Sequence, residues 1–171
     1  MRLVKYIWKN KVLSTIIAIL ITLFIIMGRK YNSLRNYVND TIYIESWKFA
    51  SNNFVIIELL ENDEIEQVDE EKISKFYYEM YEEYNEICRA YGMLDVSGKS
   101  GTFDNRLADK YNDLKRSEIL KIHKIIDEVL IEHKVSYKDL EKYMHSENVH
   151  YNQLLVEEWK KIINELNLLD F

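Results

Sequence analysis

The chain has 171 residues, enough for one domain, and it contains 4 glycines and no proline. All-β folds need frequent turns built from those residues, so the composition argues against them and for long helices. The net charge is −6, but residues 1–30 carry six basic residues and no acid, whereas residues 31–171 carry 17 basic residues and 29 acids. An acidic domain of this kind repels phosphate backbones, so we expect no nucleic-acid binding.

A run of seventeen uncharged, mostly apolar residues, VLSTIIAILITLFIIMG, occupies positions 12–28. As a helix it would be about 25 Å long, the short end of what spans a bilayer core. Lys11 and Arg29 flank the run and can extend their side chains to the lipid headgroups. The run predicts a single transmembrane helix in contact with the lipid bilayer. It separates a short basic tail, residues 1–11, from an acidic all-helical soluble domain, residues 29–171.

Two alternatives fit this run less well. A cleavable signal peptide needs small residues at a cleavage site, but the run ends at Met27 and Gly28 and continues into Arg29. A buried core helix needs a polar stripe, and the run has none. Four basic residues precede the run and three follow closely. The positive-inside rule therefore favours a cytoplasmic N-terminus and an extracytoplasmic C-terminal domain, a single-pass orientation in the cell membrane.

Apolar residues recur at three- and four-residue steps through the soluble part, which indicates helices. The first helix continues the transmembrane segment as far as Leu60, with a break expected at Ser51-Asn52-Asn53. A strand over residues 54–57 is an alternative, but no partner strand is evident. Residues 61–68 are polar and predict a turn.

A second helix is predicted from Asp69 to Gly92, where glycine can adopt a left-handed C-terminal cap. A loop over residues 93–103 follows, and then three further helices, the first with a kink or restart near Ser117. The apolar stripe of the second helix is Ile73, Phe76, Met80, Tyr84, Ile87 and Tyr91. The expected caps of the later helices are Asp104 or Asn105, Ser136 paired with Asp139, and Ser146.

Helices with single apolar stripes must bury those stripes against one another. The predicted fold class is therefore all-α, an N-terminal single transmembrane helix followed by a small helical bundle. The heptads are too short for one extended coiled coil, but a juxtamembrane coiled-coil dimer over residues 29–50 is compatible with them. Cys88 is the only cysteine, so no intrachain disulfide can form, and its place beside Ile87 indicates an inert core thiol.

The sequence assigns no catalytic, cofactor-binding or metal-binding residue. Gly98-Lys99-Ser100 ends like a phosphate-binding loop, but the first glycine of that motif would fall at Met93, and no strand precedes it. His123 and Asp127 lie one helical turn apart, a spacing that two metal ligands could use, without a supporting HExxH or Cys/His pair. The other histidines, His133, His145 and His150, are likewise expected to be half-exposed helix residues.

Twelve acids but only Lys72 and Lys75 lie between Glu58 and Glu86. The acids lack the spacing of a calcium loop, and such helical acids are most often solvated; as a functional hypothesis, the face could dock a basic partner. The acids concerned are Glu79, Glu82, Glu83 and Glu86. The tyrosines of the same helix, at positions 77, 78, 81, 84 and 91, are expected to pack the bundle.

The sequence thus predicts a non-catalytic module for protein interaction, regulation or assembly, tethered at the membrane, with a protein partner or self-association and no cofactor. A small membrane-associated enzyme or metal-binding bundle is an alternative, although di-metal bundles use Glu-x-x-His pairs. Here Glu118 precedes His123, and Glu128 precedes His133, by five positions. A membrane-perturbing or immunity-type small protein, in which the apolar helix itself acts, is a further alternative.

Overall fold

The computed structural model describes residues 11–61, 70–94, 114–143 and 149–168, and all regular structure in these ranges is α-helical. The five helices are α1 Lys11–Glu61, α2 Glu70–Leu94, α3 Arg116–Glu132, α4 Tyr137–Tyr143 and α5 Val149–Leu168. The all-α prediction is confirmed for this part of the chain. The chain divides into two compact units, residues 1–37 and residues 38–171.

Helix α1 has 51 residues and runs without interruption through Ser51-Asn52-Asn53. The predicted break at these residues is therefore wrong. Asparagine breaks helices when its side chain bonds to nearby backbone, but Asn52 and Asn53 bond instead to groups on other helices. Residues 54–57 are helical, as predicted, and the alternative of a strand there is wrong.

In the first unit, the side chains along the apolar stretch of α1 are exposed. The most exposed of them is Phe24, at 80%. The others above 45% are Ile16, Ile19, Leu20, Ile21, Leu23, Ile25, Ile26 and Met27. By length and composition this is a helix that could cross a membrane, and its most apolar window has no buried residues. A helix hidden in the protein's own core is therefore not what the described residues show.

The second unit has a continuous hydrophobic core. Its buried residues come from the second half of α1 and from helices α2 to α5. Trp159 of α5 lies fully buried, with the edge of its ring against Phe49 of α1 at a centroid distance of 5.6 Å and an angle of 82°. Phe49 also contacts Tyr84 of α2 at 6.1 Å between ring centroids. The predicted α2 stripe is buried at Ile73, Met80, Tyr84 and Ile87. Helix α5 buries Leu155, Trp159, Ile162 and Leu166.

The same core uses the apolar positions of α1 beyond residue 37. Val38, Ile42 and Phe49 are at most 1% exposed. These three side chains pack in the core of their own bundle, so they are not the exposed apolar positions that a coiled-coil dimer over residues 29–50 would need. At the end of α1, the Arg116 guanidinium donates from Nε and Nη2 to the Leu60 carbonyl at 3.2 and 2.8 Å.

Two predicted helix boundaries can be compared with the structure. Gly92 lies inside α2, which continues to Leu94, so the predicted glycine cap is wrong. The expected kink or restart near Ser117 corresponds to the start of α3 at Arg116, where the Lys115 N–H donates to Glu118 Oε2 at 2.8 Å. The turn of residues 62–68, most of the 93–103 loop and the caps at Asp104, Asn105 and Ser146 lie outside the described residues.

The junction between α3 and α4 is a Schellman turn that the sequence did not suggest. The Lys134 N–H donates to the Ile131 carbonyl at 3.0 Å and the Val135 N–H to the Leu130 carbonyl at 2.8 Å. Lys134 has a φ of 58°, a conformation in which glycine is usual. The predicted capping pair at the start of α4 is confirmed. Ser136 Oγ donates to Asp139 Oδ2 at 2.6 Å, and the Asp139 N–H donates to Ser136 Oγ at 3.3 Å.

Candidate functional site

An open groove of about 600 Å³ lies between the second half of α1 and helix α2. It is lined by Glu45 and Lys48 from α1 and by Lys75, Tyr78, Glu79, Glu82, Glu83 and Glu86 from α2. The α2 acids recur at three- and four-residue steps and therefore share one face of that helix. The acids of α2 were predicted from the sequence, but the α1 side of the groove was not. Its only sign in the sequence is the spacing of Glu45, Lys48 and Asn52, which places them on one face of a helix.

Cations from the same helices neutralise part of the groove. Lys48 Nζ lies 2.8 Å from Glu45 Oε1, and this hydrogen bond raises the pKa of Lys48. Lys75 Nζ lies 3.8 Å from Glu79 Oε1. The lining therefore carries five carboxylates and two lysines, and Arg89 of α2 also pairs with Glu86. Each of these ion pairs lies within one helix and stabilises by less than about 1 kcal/mol. The groove keeps an acidic surplus that basic side chains could pair with.

Glu83 is the buried member of this lining, at 7% exposure. Its two carboxylate oxygens accept hydrogen bonds from Asn52 Nδ2 at 3.0 and 3.1 Å. Burial raises the pKa of Glu83 to about 7, because a charge is poorly solvated there and the Asn52 amide only partly compensates. At neutral pH this side chain is therefore divided between its neutral and charged forms, and it titrates within the physiological range.

Asn53, the next residue of α1, makes a second cross-helix contact, with His123 of α3. The Asn53 amide donates to the His123 carbonyl at 3.2 Å, and Asn53 Oδ1 lies 2.8 Å from His123 Nδ1. An amide oxygen only accepts, so Nδ1 carries the proton and donates. Two adjacent asparagines thus tie α1 to two different helices.

His123 and Asp127, whose spacing two metal ligands could use, belong to no group of three possible ligands among the described residues. His123 is fully buried, which contradicts the half-exposed position expected of it, and burial lowers the pKa of its imidazole to about 3. Burial also raises the pKa of Asp127. Within the described ranges no three His, Cys, Asp or Glu side chains are grouped so that they could hold a metal ion.

His133 occupies a position that sequence reasoning missed. It ends α3, its side chain is 8% exposed, and it lies between two carboxylates of α5: Nδ1 is 2.7 Å from Glu158 Oε2 and Nε2 is 3.0 Å from Glu165 Oε1. Carboxylates only accept, so both contacts are satisfied together by the doubly protonated imidazolium. Burial alone would lower the pKa of His133, but the hydrogen bonds to Glu158 and Glu165 outweigh it and raise that pKa.

The remaining sequence candidates add no chemistry to the groove. Cys88 is half-buried and packs against the core. Tyr77 and Tyr84 are buried in the bundle, as expected, whereas Tyr78 is exposed and lines the groove. Gly98-Lys99-Ser100 and the side chains of His145, His150 and Tyr91 lie outside what the structure describes.

Comparison of the chain with protein-family models, with curated proteins and with solved structures finds no match. The features that bear on function are therefore the groove, the buried polar contacts and the exposed apolar stretch of α1. Together these features offer surfaces for binding.

Proposed function

We propose that this chain is a single-pass membrane protein whose helical bundle binds another protein at the membrane surface, in a non-catalytic regulatory or assembly role. The exposure of the apolar stretch of α1 carries the proposal. Isolated apolar side chains on a protein surface are ordinary, but nine large ones above 45% exposure on one helix form a continuous apolar surface. Lipid tails are the environment that covers such a surface on every side.

The acidic groove supports the second half of the proposal. Its carboxylates are displayed on an open surface, and the surplus of acids over lysines favours a partner that brings lysine or arginine. Opposite charge of this kind acts mainly by speeding and orienting the encounter, and salt weakens it. In this proposal the bundle lies outside the cell, as the positive-inside rule favours.

Membrane insertion is tested on intact cells that express the full chain. We expect the protein to stay with membranes after alkaline carbonate extraction, and an added protease to digest the bundle without breaking the cells. Recovery of the chain in the aqueous fraction would refute the anchor. Protection of the bundle from protease would keep the anchor but reverse the orientation.

Binding by the groove is tested by affinity purification of the detergent-solubilised full chain. Replacing Glu79, Glu82 and Glu86 by lysine should remove a stoichiometric partner. A matched control replaces the exposed acids Glu128, Glu141 and Glu157 by lysine, which changes the net charge equally on other surfaces. We expect the control to retain the partner. Equal loss in both variants, or a monomer without any partner, would contradict the proposal.

A further inference from the structure

Three cations follow the apolar stretch of α1 within the first compact unit. Arg29, Lys30 and Arg35 are exposed, and no described residue lies within ion-pair distance of them. The nearest acid in the sequence is Asp40, since residues 1–39 contain none. The stretch therefore supplies no charge of opposite sign for these three cations.

The three cations point in different directions around the helix. At about 100° per residue, Lys30 is rotated by about 100° from Arg29, and Arg35 by about 240°. They form a ring instead of a stripe. A protein partner that packs along one side of α1 would contact one or two of them and leave the others in water. A medium that surrounds the helix contacts all three.

The height of the ring matches the polar layer of a bilayer. From Arg29 to Arg35 the helix rises by about 9 Å. The polar layer on each side of the hydrocarbon core is about 5 to 8 Å thick, and flexible basic side chains extend that reach. Tyr31, which is 60% exposed, lies inside the same interval, and exposed tyrosines are enriched at this depth.

We infer that Arg29, Lys30 and Arg35 form a collar that binds the phosphate groups of anionic phospholipids around α1. The inference rests on the proposed membrane anchor and goes beyond it by naming the class of lipid. Cations near an anionic membrane surface prefer its lipids over zwitterionic ones, and salt weakens that preference. The collar selects the lipids next to the helix, whereas the apolar stretch alone holds the chain in any bilayer.

The test uses the full chain with Tyr31→Trp as a fluorescent reporter inside the collar and Trp8→Phe to remove the reporter at the other end. The remaining tryptophans, Trp47 and Trp159, belong to the second unit, and both are partly or fully buried. The protein is reconstituted into vesicles of phosphatidylcholine and phosphatidylglycerol. Quenching is compared when one lipid or the other carries bromine near the start of its acyl chains, which reports the lipid composition beside residue 31.

We expect brominated phosphatidylglycerol to quench the reporter at position 31 several-fold more than its share of the bilayer predicts. Changing Arg29, Lys30 and Arg35 together to glutamine should reduce this enrichment by about fivefold or more at low salt. The matched control, with Lys121, Lys124 and Lys160 of α3 and α5 changed to glutamine, should leave the enrichment unchanged.

The collar is overturned if the reporter chain shows no enrichment, or if the collar variant keeps it. Carbonate extraction of the same vesicles separates this failure from failure of the anchor: a retained protein without enrichment refutes only the collar, whereas an extracted protein refutes the anchor as well. Crosslinking provides the remaining distinction. If the collar variant loses self-association while its enrichment persists, the cations serve a second copy of the chain and the lipid inference is wrong.

Discussion

Helix α1 contains two stretches rich in large apolar residues, and these stretches meet opposite environments. In the first unit Phe24 is 80% exposed, whereas in the second unit Phe49 is 1% and Ile56 0% exposed. The exposed stretch has no charged position between residues 12 and 28. The buried stretch is interrupted by Ser46, Asn52 and Asn53, whose polar groups have defined partners. The hydrogen bonds of Asn52 and Asn53 to other helices distinguish the buried stretch, because the Thr22 hydroxyl of the exposed stretch bonds to the Ala18 carbonyl of its own helix.

The largest expected difference between the two stretches is in folding stability. Trp159→Ala removes a fully buried ring that packs on Phe49, and we expect it to lower the free energy of unfolding of the bundle by about 3 to 5 kcal/mol. Phe24→Ala, at an exposed position, should change that free energy by less than about 0.5 kcal/mol. Both are measured by denaturant unfolding in detergent. Similar losses from both variants would remove the distinction.

A second difference is sensitivity to acid. Residues 11–37 contain no Asp, Glu or His, so acid titrates side chains only outside that interval. The buried His123 has its pKa lowered to about 3, and it therefore stays neutral in the folded bundle while the unfolded chain takes up a proton near pH 6.5. The stability it contributes is complete above pH 6.5 and is lost as the pH falls towards 3.

The corresponding experiment compares the pH dependence of unfolding in the wild type and in His123→Gln. We expect the wild type to lose about 3 kcal/mol more than the variant between pH 6.5 and pH 4. We expect His123→Gln to be less stable than the wild type at pH 7, because it loses part of the contact with Asn53. The quantity to compare is therefore the change of the unfolding free energy with pH, not its absolute value. Parallel slopes would show that His123 is not buried in its neutral form.

Glu83 responds in the opposite direction. Its pKa is raised to about 7, so the stability linked to its neutral form is complete below about pH 4.5, the ordinary range of the group, and is lost as the pH rises through 7. Glu83→Gln keeps an acceptor for Asn52 and removes the charge. We expect it to raise the free energy of unfolding by about 2 kcal/mol at pH 8 and to have little effect at pH 4.5. Glu79→Gln, on the same helix, should stay within about 0.5 kcal/mol at both pH values.

His133 provides a smaller effect with a different window. Because its pKa is raised above 6.5, the contribution of its charged form is complete below pH 6.5 and disappears as the pH rises through the raised value. Glu165→Gln should lower the pKa of His133, followed by the imidazole proton shifts in NMR spectra, and should cost about 1 kcal/mol of stability at pH 6. An unchanged titration would mean that Glu165 does not contact the ring in solution.

The smallest expected change is a gain in stability. Lys134→Gly places glycine where φ is 58° and should stabilise the bundle by about 0.5 to 1 kcal/mol. Lys138→Gly, inside α4, should instead destabilise it by a similar amount. Unfolding of both variants is compared with the wild type at one pH. A loss of stability in Lys134→Gly would contradict the left-handed turn.

Helical periodicity was sufficient to identify the bundle, because a stripe such as Ile73, Met80 and Ile87 has one physical solution, burial against other helices. Sequence reasoning failed where polar side chains were involved. Local propensity predicts a break at Asn52 and Asn53, and only long-range partners reverse it. His133 could not be distinguished from an exposed helix histidine, since Glu158 and Glu165 lie 25 and 32 positions away. The acidic face of α2 could be predicted from the sequence. The α1 side of the groove could not, because its position opposite that face depends on tertiary packing.

The hydrogen bonds of Asn53 have a consequence for biosynthesis. During translation the second half of α1 leaves the ribosome long before its acceptor, the His123 carbonyl, which lies 70 positions later. Until α3 has been synthesised, the Asn53 side-chain amide, which is buried in the folded bundle, can form hydrogen bonds only with water or with a chaperone. A nascent chain that stalls before residue 123 would therefore expose an incomplete core together with the exposed apolar stretch of α1, a form that quality-control proteases recognise.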